Sequence, residues 1–346
     1  NPTQSWTTTG GALTQITLNS TSTASVAYNA TVFGNPIQIP AFEVNVAIGV
    51  NTSSMTVYSA VAGTGATPGT QANQGAAIQL STAQLCAIFT GLVTDWNDIT
   101  VGKIPYLNNA GGQVLAAFDY TNIDNTGAAQ RYTSSSLPIK IVYRGDGSGT
   151  SFILTNYLAN LCPLLDPTGT YNYKKIFTGV GVGGSTTANL PSGKFSRLLD
   201  NIRAVSSSDQ SDPFDVDDDE ERPDPHWISA SGSNHEALKI GTDPRFAGRI
   251  GYLSADFTQP YAQTVTEEIA GTTISAAAPL SASVQNERQR LLGVYHPGQT
   301  GSNGRAQNFV RPTPNNAQLA FSNLTAPSVN SSYDAWNLYA DRKSVV

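Results

Sequence analysis

The stretch Arg144-Gly145-Asp146-Gly147-Ser148-Gly149-Thr150-Ser151 constrains local geometry more tightly than any other part of the chain. Upstream, Pro138-Ile139-Lys140-Ile141-Val142-Tyr143 is short, β-branched and aromatic, which reads as a strand. Downstream, Phe152, Ile153, Tyr157, Leu158 and Leu161 fall at the spacing of an amphipathic helix, with Ser148 or Thr150 placed to cap it. Strand, glycine-rich turn and helix in that order make a socket for an anion. Free backbone N–H groups at a helix start, backed by the macrodipole, attract oxyanions. Glycines let that backbone approach a ligand closely. Arg144 adds a planar fork for two ligand oxygens. The plainer alternative is a structural arginine paired with Asp146.

From this motif outward the chain resembles a known family, the phosphate-binding proteins of bacterial ABC transporters, which have the type II periplasmic binding protein fold. In that family an Arg-x-Asp-Gly-Ser-Gly-Thr motif on the second lobe holds phosphate. The resemblance implies direct ligand roles for Arg144, Ser148, Gly149 and Thr150, with Asp146 orienting the arginine. Weaker markers keep the family's order. Ile39-Pro40-Ala41-Phe42, followed by Val44, Val46, Ile48 and Val50, is similar to its strand crossing between lobes. Leu80 through Gly91, then Asp95-Trp96-Asn97-Asp98-Ile99, is similar to its helix ending in a tryptophan-containing loop. Gly232-Ser233-Asn234-His235-Glu236 and Arg249-Ile250-Gly251-Tyr252 resemble the segment leading back to the first lobe.

The fold class so implied is α/β: a two-lobed type II periplasmic-binding-protein fold with a hinge. Residues 43–255 would form the second lobe, which carries the anion motif. Residues 1–42, a β-like arm, and 256–346 would form the first lobe, incomplete or modified. Two departures lead to that expectation. The family's aspartate, in a Ser-Asp-Ala-Pro turn before the crossing strand, has no counterpart between Asn19 and Asn35. In the family that carboxylate accepts the proton of hydrogen phosphate and repels sulfate. Its loss leaves the choice between phosphate and sulfate open. The family's opening glycine-rich segment is also missing, and the chain stops at Val346 soon after Ala335-Trp336-Asn337-Leu338-Tyr339. A rebuilt first lobe and a piece of a longer protein both fit.

Composition narrows the setting. Charged residues are 13% of the 346, about half the usual share, and Gly, Ser, Thr, Asn and Ala are abundant, as in secreted or cell-surface bacterial proteins. A net charge of −6 argues against nucleic acid as a partner, since its phosphates reward basic surfaces. No run approaches the roughly 20 apolar residues of a membrane helix, which points to a soluble chain without membrane insertion. No charged-then-apolar leader opens the sequence, so an exported form would be mature or processed. Cys86 and Cys162 each fall on a predicted helix of the second lobe. A disulfide is expected for an exported protein, with two buried thiols as the alternative.

Other signals have plain readings. The acidic run Asp212 to Glu221 lacks EF-hand spacing and reads as a solvated loop. Gly179-Val180-Gly181-Val182-Gly183-Gly184 matches a dinucleotide fingerprint, but the strand before it is weak, so a hinge or turn is expected. Arg144-Gly145-Asp146 is also an adhesion tripeptide, yet strand and helix flank it. Asn108 to Ser136 and Ser206 to Pro225 read as surface insertions rich in polar residues.

The resemblance thus implies a periplasmic or extracellular binding protein that takes inorganic phosphate or a related oxyanion in an inter-lobe cleft. It would use no cofactor, metal or catalysis and would hand its ligand to an ABC transporter permease. A second reading is a secreted or surface structural subunit, a filament or adhesive appendage, reusing the same fold. The Thr/Ser/Asn-rich arm and the low charge favour it, and self-assembly would then place residues 1–37 on a neighbouring copy. Phosphomonoester hydrolysis, a third reading, finds neither an activated nucleophile nor a metal constellation in the sequence.

Overall fold

The computed structural model describes residues 6–9, 12–15, 45–58, 78–100, 102–107, 112–122, 128–182, 189–209, 226–259, 261–269, 271–285, 309–313 and 315–316. The acidic run 212–221, the segment 19–35, the first half of the expected crossing strand and the 335–339 segment lie outside them. The chain divides into two units, one of residues 1–42 with 321–344 and 346, the other of 43–320 with 345. In the first unit, β1 (Trp6–Thr9) and β2 (Ala12–Gln15) pair antiparallel.

The second unit is mixed α/β, the class expected. Its strands are β3 (Val46–Val50), β4 (Gln79–Leu80), β5 (Ile104–Leu107), β6 (Gln113–Ala116), β7 (Lys140–Arg144), β8 (Trp227–Ala230) and β9 (Arg249–Ser254). They continue as β10 (Thr264–Ile269), β11 (Thr272–Ala277), β12 (Leu280–Ser281), β13 (Ser283–Gln285) and β14 (Phe309–Val310). Among the described residues these helices accompany them: α1 (Thr82–Phe89), α2 (Gly149–Leu165), α3 (Tyr173–Thr178), α4 (Ser196–Asp209) and α5 (Gly232–Ile240). A five-stranded sheet of order β12-β3-β9-β7-β8 forms the centre, with β7 parallel to both neighbours and β3 antiparallel to β9.

Side chains of a strand alternate between the two faces of its sheet, and the central strands separate the core accordingly. Ile141 and Tyr143 on β7, with Ile250 and Tyr252 on β9, join a large cluster with α1, α2, α3 and α4. Val142 and Leu253 point the other way, into a smaller cluster with Ala237, Leu238 and Ile240 of α5 and Val265 of β10. Gly251 sits where β9 passes under α5: an added Cβ would lie 2.7 Å from the Val142 carbonyl oxygen and from Ile240 Cδ1. A side chain there would push strand and helix apart.

Two expectations need correction. In α2 the buried face is Ser151, Leu154, Thr155, Leu158, Cys162 and Leu165, while Phe152 is 44% exposed. Of the expected apolar stripe Leu158 is buried and Tyr157 packs at the edge of the core, while Phe152 turns outward and two hydroxyl residues bury instead. Thr155 returns its hydroxyl to the Ser151 carbonyl, and Ser151 shares a 2.8 Å hydrogen bond with the Tyr252 hydroxyl. The stretch 108–136, expected as a surface insertion, supplies core. Phe118 and Tyr132 are fully buried around Trp96. Gln84 of α1, itself buried, donates to the Phe118 carbonyl and to Thr121. Polar content hid these anchors.

α1 begins with a capping box in which Ser81 accepts from the Gln84 N–H and Gln84 accepts from the Ser81 N–H. A disulfide between Cys86 and Cys162, 76 residues apart, ties α1 to α2, which selects one of the two thiol expectations. Cross-linking so long a loop restricts the unfolded chain and is worth about 2–4 kcal/mol. Replacing both cysteines by serine is expected to lower unfolding stability by about that amount in urea titrations. Unchanged stability would show that the bond adds nothing to the folded state.

Candidate functional site

β7 ends at Arg144, and the chain turns through Gly145, Asp146 and Gly147 into Ser148, the N-cap of α2. Gly145 packs closely: its N–H bonds the Ala230 carbonyl at 2.9 Å, and an added Cβ would lie 2.2 Å from Ser229 Oγ, which would have to swing away. Gly147 and Gly149 differ. Both have space around them, with nothing within 4 Å of a built Cβ. Their backbone therefore faces open volume at a helix start.

The five sequence-expected residues lie together between the last residue of β7 and the first turn of α2. The Arg144 guanidinium grips Asp146 with two bonds, Nε to Oδ1 at 2.7 Å and Nη2 to Oδ2 at 2.5 Å. Nη1 donates to Ser233 Oγ at 3.3 Å. A guanidinium has five N–H groups, so two remain for a ligand once these three are placed. The paired guanidinium holds the Asp146 carboxyl below the usual carboxylate range, and the same bond raises Arg144. Asp146 also accepts from the Gly232 N–H at 3.3 Å. Ser148 Oγ caps α2 by accepting from the Thr150 N–H at 3.1 Å, and the two hydroxyls lie 2.6 Å apart. Of the two cap candidates Ser148 serves, and the first-turn N–H groups of Gly149 and Ser151 are left without an intrahelical acceptor.

Beneath the turn lies a second set of groups that no sequence motif joins. The Tyr252 hydroxyl accepts from the Arg144 backbone N–H at 3.2 Å and bonds Ser151 Oγ. Glu236, on the buried face of α5, accepts from the Tyr252 N–H at 3.3 Å through Oε1. Its carboxyl is fully buried, Oε2 has no hydrogen-bond partner, and burial pushes the group well above the carboxylate range. Ser233 and Glu236 are three residues apart, hence on one helix face. The sequence marked this segment as Gly232 to Glu236, and a Gly-Ser pair opening a helix after a strand was the available signal.

The remaining motifs resolve simply. Arg144 and Asp146 pair with one another and the arginine side chain is only 11% exposed, so the adhesion tripeptide is not presented as a free loop tip. Gly179 caps α3 in the left-handed region at φ 73°, a turn following a helix rather than a strand, while Gly183 and Gly184 lie outside the described residues. Among the described residues no three His, Cys, Asp or Glu gather as a metal group, and no helix is long and apolar enough to cross a membrane.

A family model described as a PBP superfamily domain matches residues 24–312. The chain belongs to that superfamily. No curated protein matches its sequence. Among solved structures it is similar to a DING protein, at 20% identity over 90% of this chain and 50% of that one, with a TM-score of 0.40. It is also similar to a high-affinity periplasmic phosphate-binding protein bound with phosphate, at 19% identity over 88% and 50%, TM-score 0.39. A third is the phosphate-binding protein from Stenotrophomonas maltophilia, at 18% identity over 77% and 47%, TM-score 0.33. The chain spans about half the length of these structures, and with so loose a superposition the assignment rests on the family match.

A carboxyl raised in the fold is protonated there while its unfolded counterpart, with a pKa of about 4.3, ionises. Its contribution to stability is present below the unfolded value and is lost as pH rises toward the raised folded one. Glu236→Gln cannot ionise, so its urea midpoint is expected to decline less than that of the parent between pH 4 and 8. Parallel profiles would show that Glu236 is ionised in the folded chain.

Proposed function

We propose that the chain is an extracytoplasmic solute-binding protein that takes inorganic phosphate, or a related tetrahedral oxyanion, without catalysis. Its ligand-binding residues are Arg144, Ser148, Gly149 and Thr150, with Asp146 fixing the arginine. One observation carries the reading: the Arg144 fork is held by Asp146 and Ser233 with two N–H groups to spare, beside a helix start whose glycine backbone faces open volume. Charge-assisted bonds from a pre-oriented guanidinium are shorter and stronger than neutral ones. Neither α2 nor α5 has an acidic residue in its first turn to compete with an anion. Membership of the PBP superfamily supports the same reading, as does the low charge of the chain. A periplasmic or cell-surface location and a transporter permease as recipient go with it.

Arg144→Ala is the test. Removing one partner of a desolvated charged pair costs about 2–5 kcal/mol, so calorimetry should show the phosphate Kd rising by roughly thirtyfold or more. Equal affinity in variant and parent would remove the anion-socket reading. Sulfate bound as tightly as phosphate would keep the socket and make it unselective.

A further inference from the structure

We propose that Glu236 is a positioning residue for the anion: kept neutral beneath the socket, its carboxyl leaves the charge of Arg144 to the ligand, and its ionisation weakens binding. This rests on the anion-socket reading and adds a proton to it.

The geometry supplies the argument. α5 reaches the socket three times in just over one turn: the Gly232 N–H on Asp146, the Ser233 hydroxyl on Arg144, and the Glu236 carboxyl on the Tyr252 backbone. Tyr252 in turn touches both the Arg144 N–H and the first turn of α2. An ionised carboxylate offers about four acceptor sites, yet Glu236 has one backbone donor at 3.3 Å and an unpartnered Oε2 with no exposure. An ionised group so placed is costly, and protonation relieves the cost.

The surrounding charges set the sign. Arg144 on β7 attracts the charged form of Glu236, Asp146 in the turn opposes it, and the Tyr252 hydroxyl on β9 lies near. On the other elements packed against α5, Arg249 of β9 and Glu267 of β10 act on Lys239 instead. Lys140 and Tyr143 of β7, Glu268 of β10, Asp256 of the turn after β9 and His235 on α5 itself are the other charged or titratable side chains on these elements. With Glu236 neutral, Arg144 and Asp146 balance and the two spare N–H groups meet the anion. With Glu236 ionised, one cation faces two carboxylates, and a dianion entering the socket is repelled. Burial driving the carboxyl upward agrees with the neutral state. By linkage, a group that must be neutral for tight binding takes up a proton on binding wherever it is ionised in the free protein.

The experiment is calorimetry with inorganic phosphate on the parent chain and on Glu236→Gln from about pH 5 to 10. Protonation of phosphate itself is common to both proteins, so the ratio of their Kd values isolates Glu236. The expected result is a ratio near one at the acid end. At the alkaline end the parent should fall behind by roughly tenfold per pH unit once the carboxyl ionises. A ratio constant across the range overturns the inference while leaving the socket standing. Absence of binding by both proteins at every pH overturns the reading and the inference together. A parallel measurement covers a variant that does not fold: proton uptake by the parent on binding phosphate above about pH 8, read from buffers of different ionisation enthalpy. Uptake supports the inference there, and none overturns it.

Discussion

Strand Lys140–Arg144 lies between two parallel neighbours, and that pairing organises everything around it. Parallel strands cannot be joined by a tight turn, so each must be followed by a crossover. β7 runs into α2 and β8 into α5. Because β7 and β8 point the same way, both helices begin at the same edge of the sheet. Their N-termini, each with free N–H groups and a positive dipole end, are brought together at the carboxyl ends of the strands, where open α/β sheets bind ligands. Arg144 is the last residue of β7 and stands in that place by position alone.

Charge in the socket is divided among few groups. Asp146 spends two of the five guanidinium donors on orientation, and Ser233 spends a third. The result is a planar fork with little rotational freedom, its side chain 11% exposed. Orientation of this kind lowers the ordering cost of binding. Glu236 is the unusual component, because a fully buried carboxyl with an unpartnered oxygen is expensive when charged. It stands about one helical turn from Gly232, whose N–H donates to Asp146.

What could be read from the sequence was local. The strand, the glycine turn, the cap and the helix around Arg144 follow from residue chemistry over a dozen positions. The helix after Leu80 and the loop of Trp96 came from the family resemblance alone, and the cap at Ser81 was not read. The Cys86–Cys162 pairing was legible to within one alternative. The rest depends on partners far along the chain. Ser151 and Thr155 lie outside the apolar set read from the sequence, yet Tyr252, about a hundred positions on, and Ser192 receive them in the core. Phe118 and Tyr132 were concealed among Asn, Thr and Gly. Glu236 looked like one more charge on a helix, and no local rule reports that β9 passes beneath it.

The central claim is that an oxyanion seats on the Arg144 fork at the start of α2. A crystal structure of the chain grown in inorganic phosphate tests it most directly. The account predicts a tetrahedral anion within hydrogen-bond distance of the Arg144 guanidinium and of Ser148, Gly149 and Thr150, with the Arg144–Asp146 pair intact. Saturating phosphate with that socket empty, or an anion bound elsewhere, would contradict it.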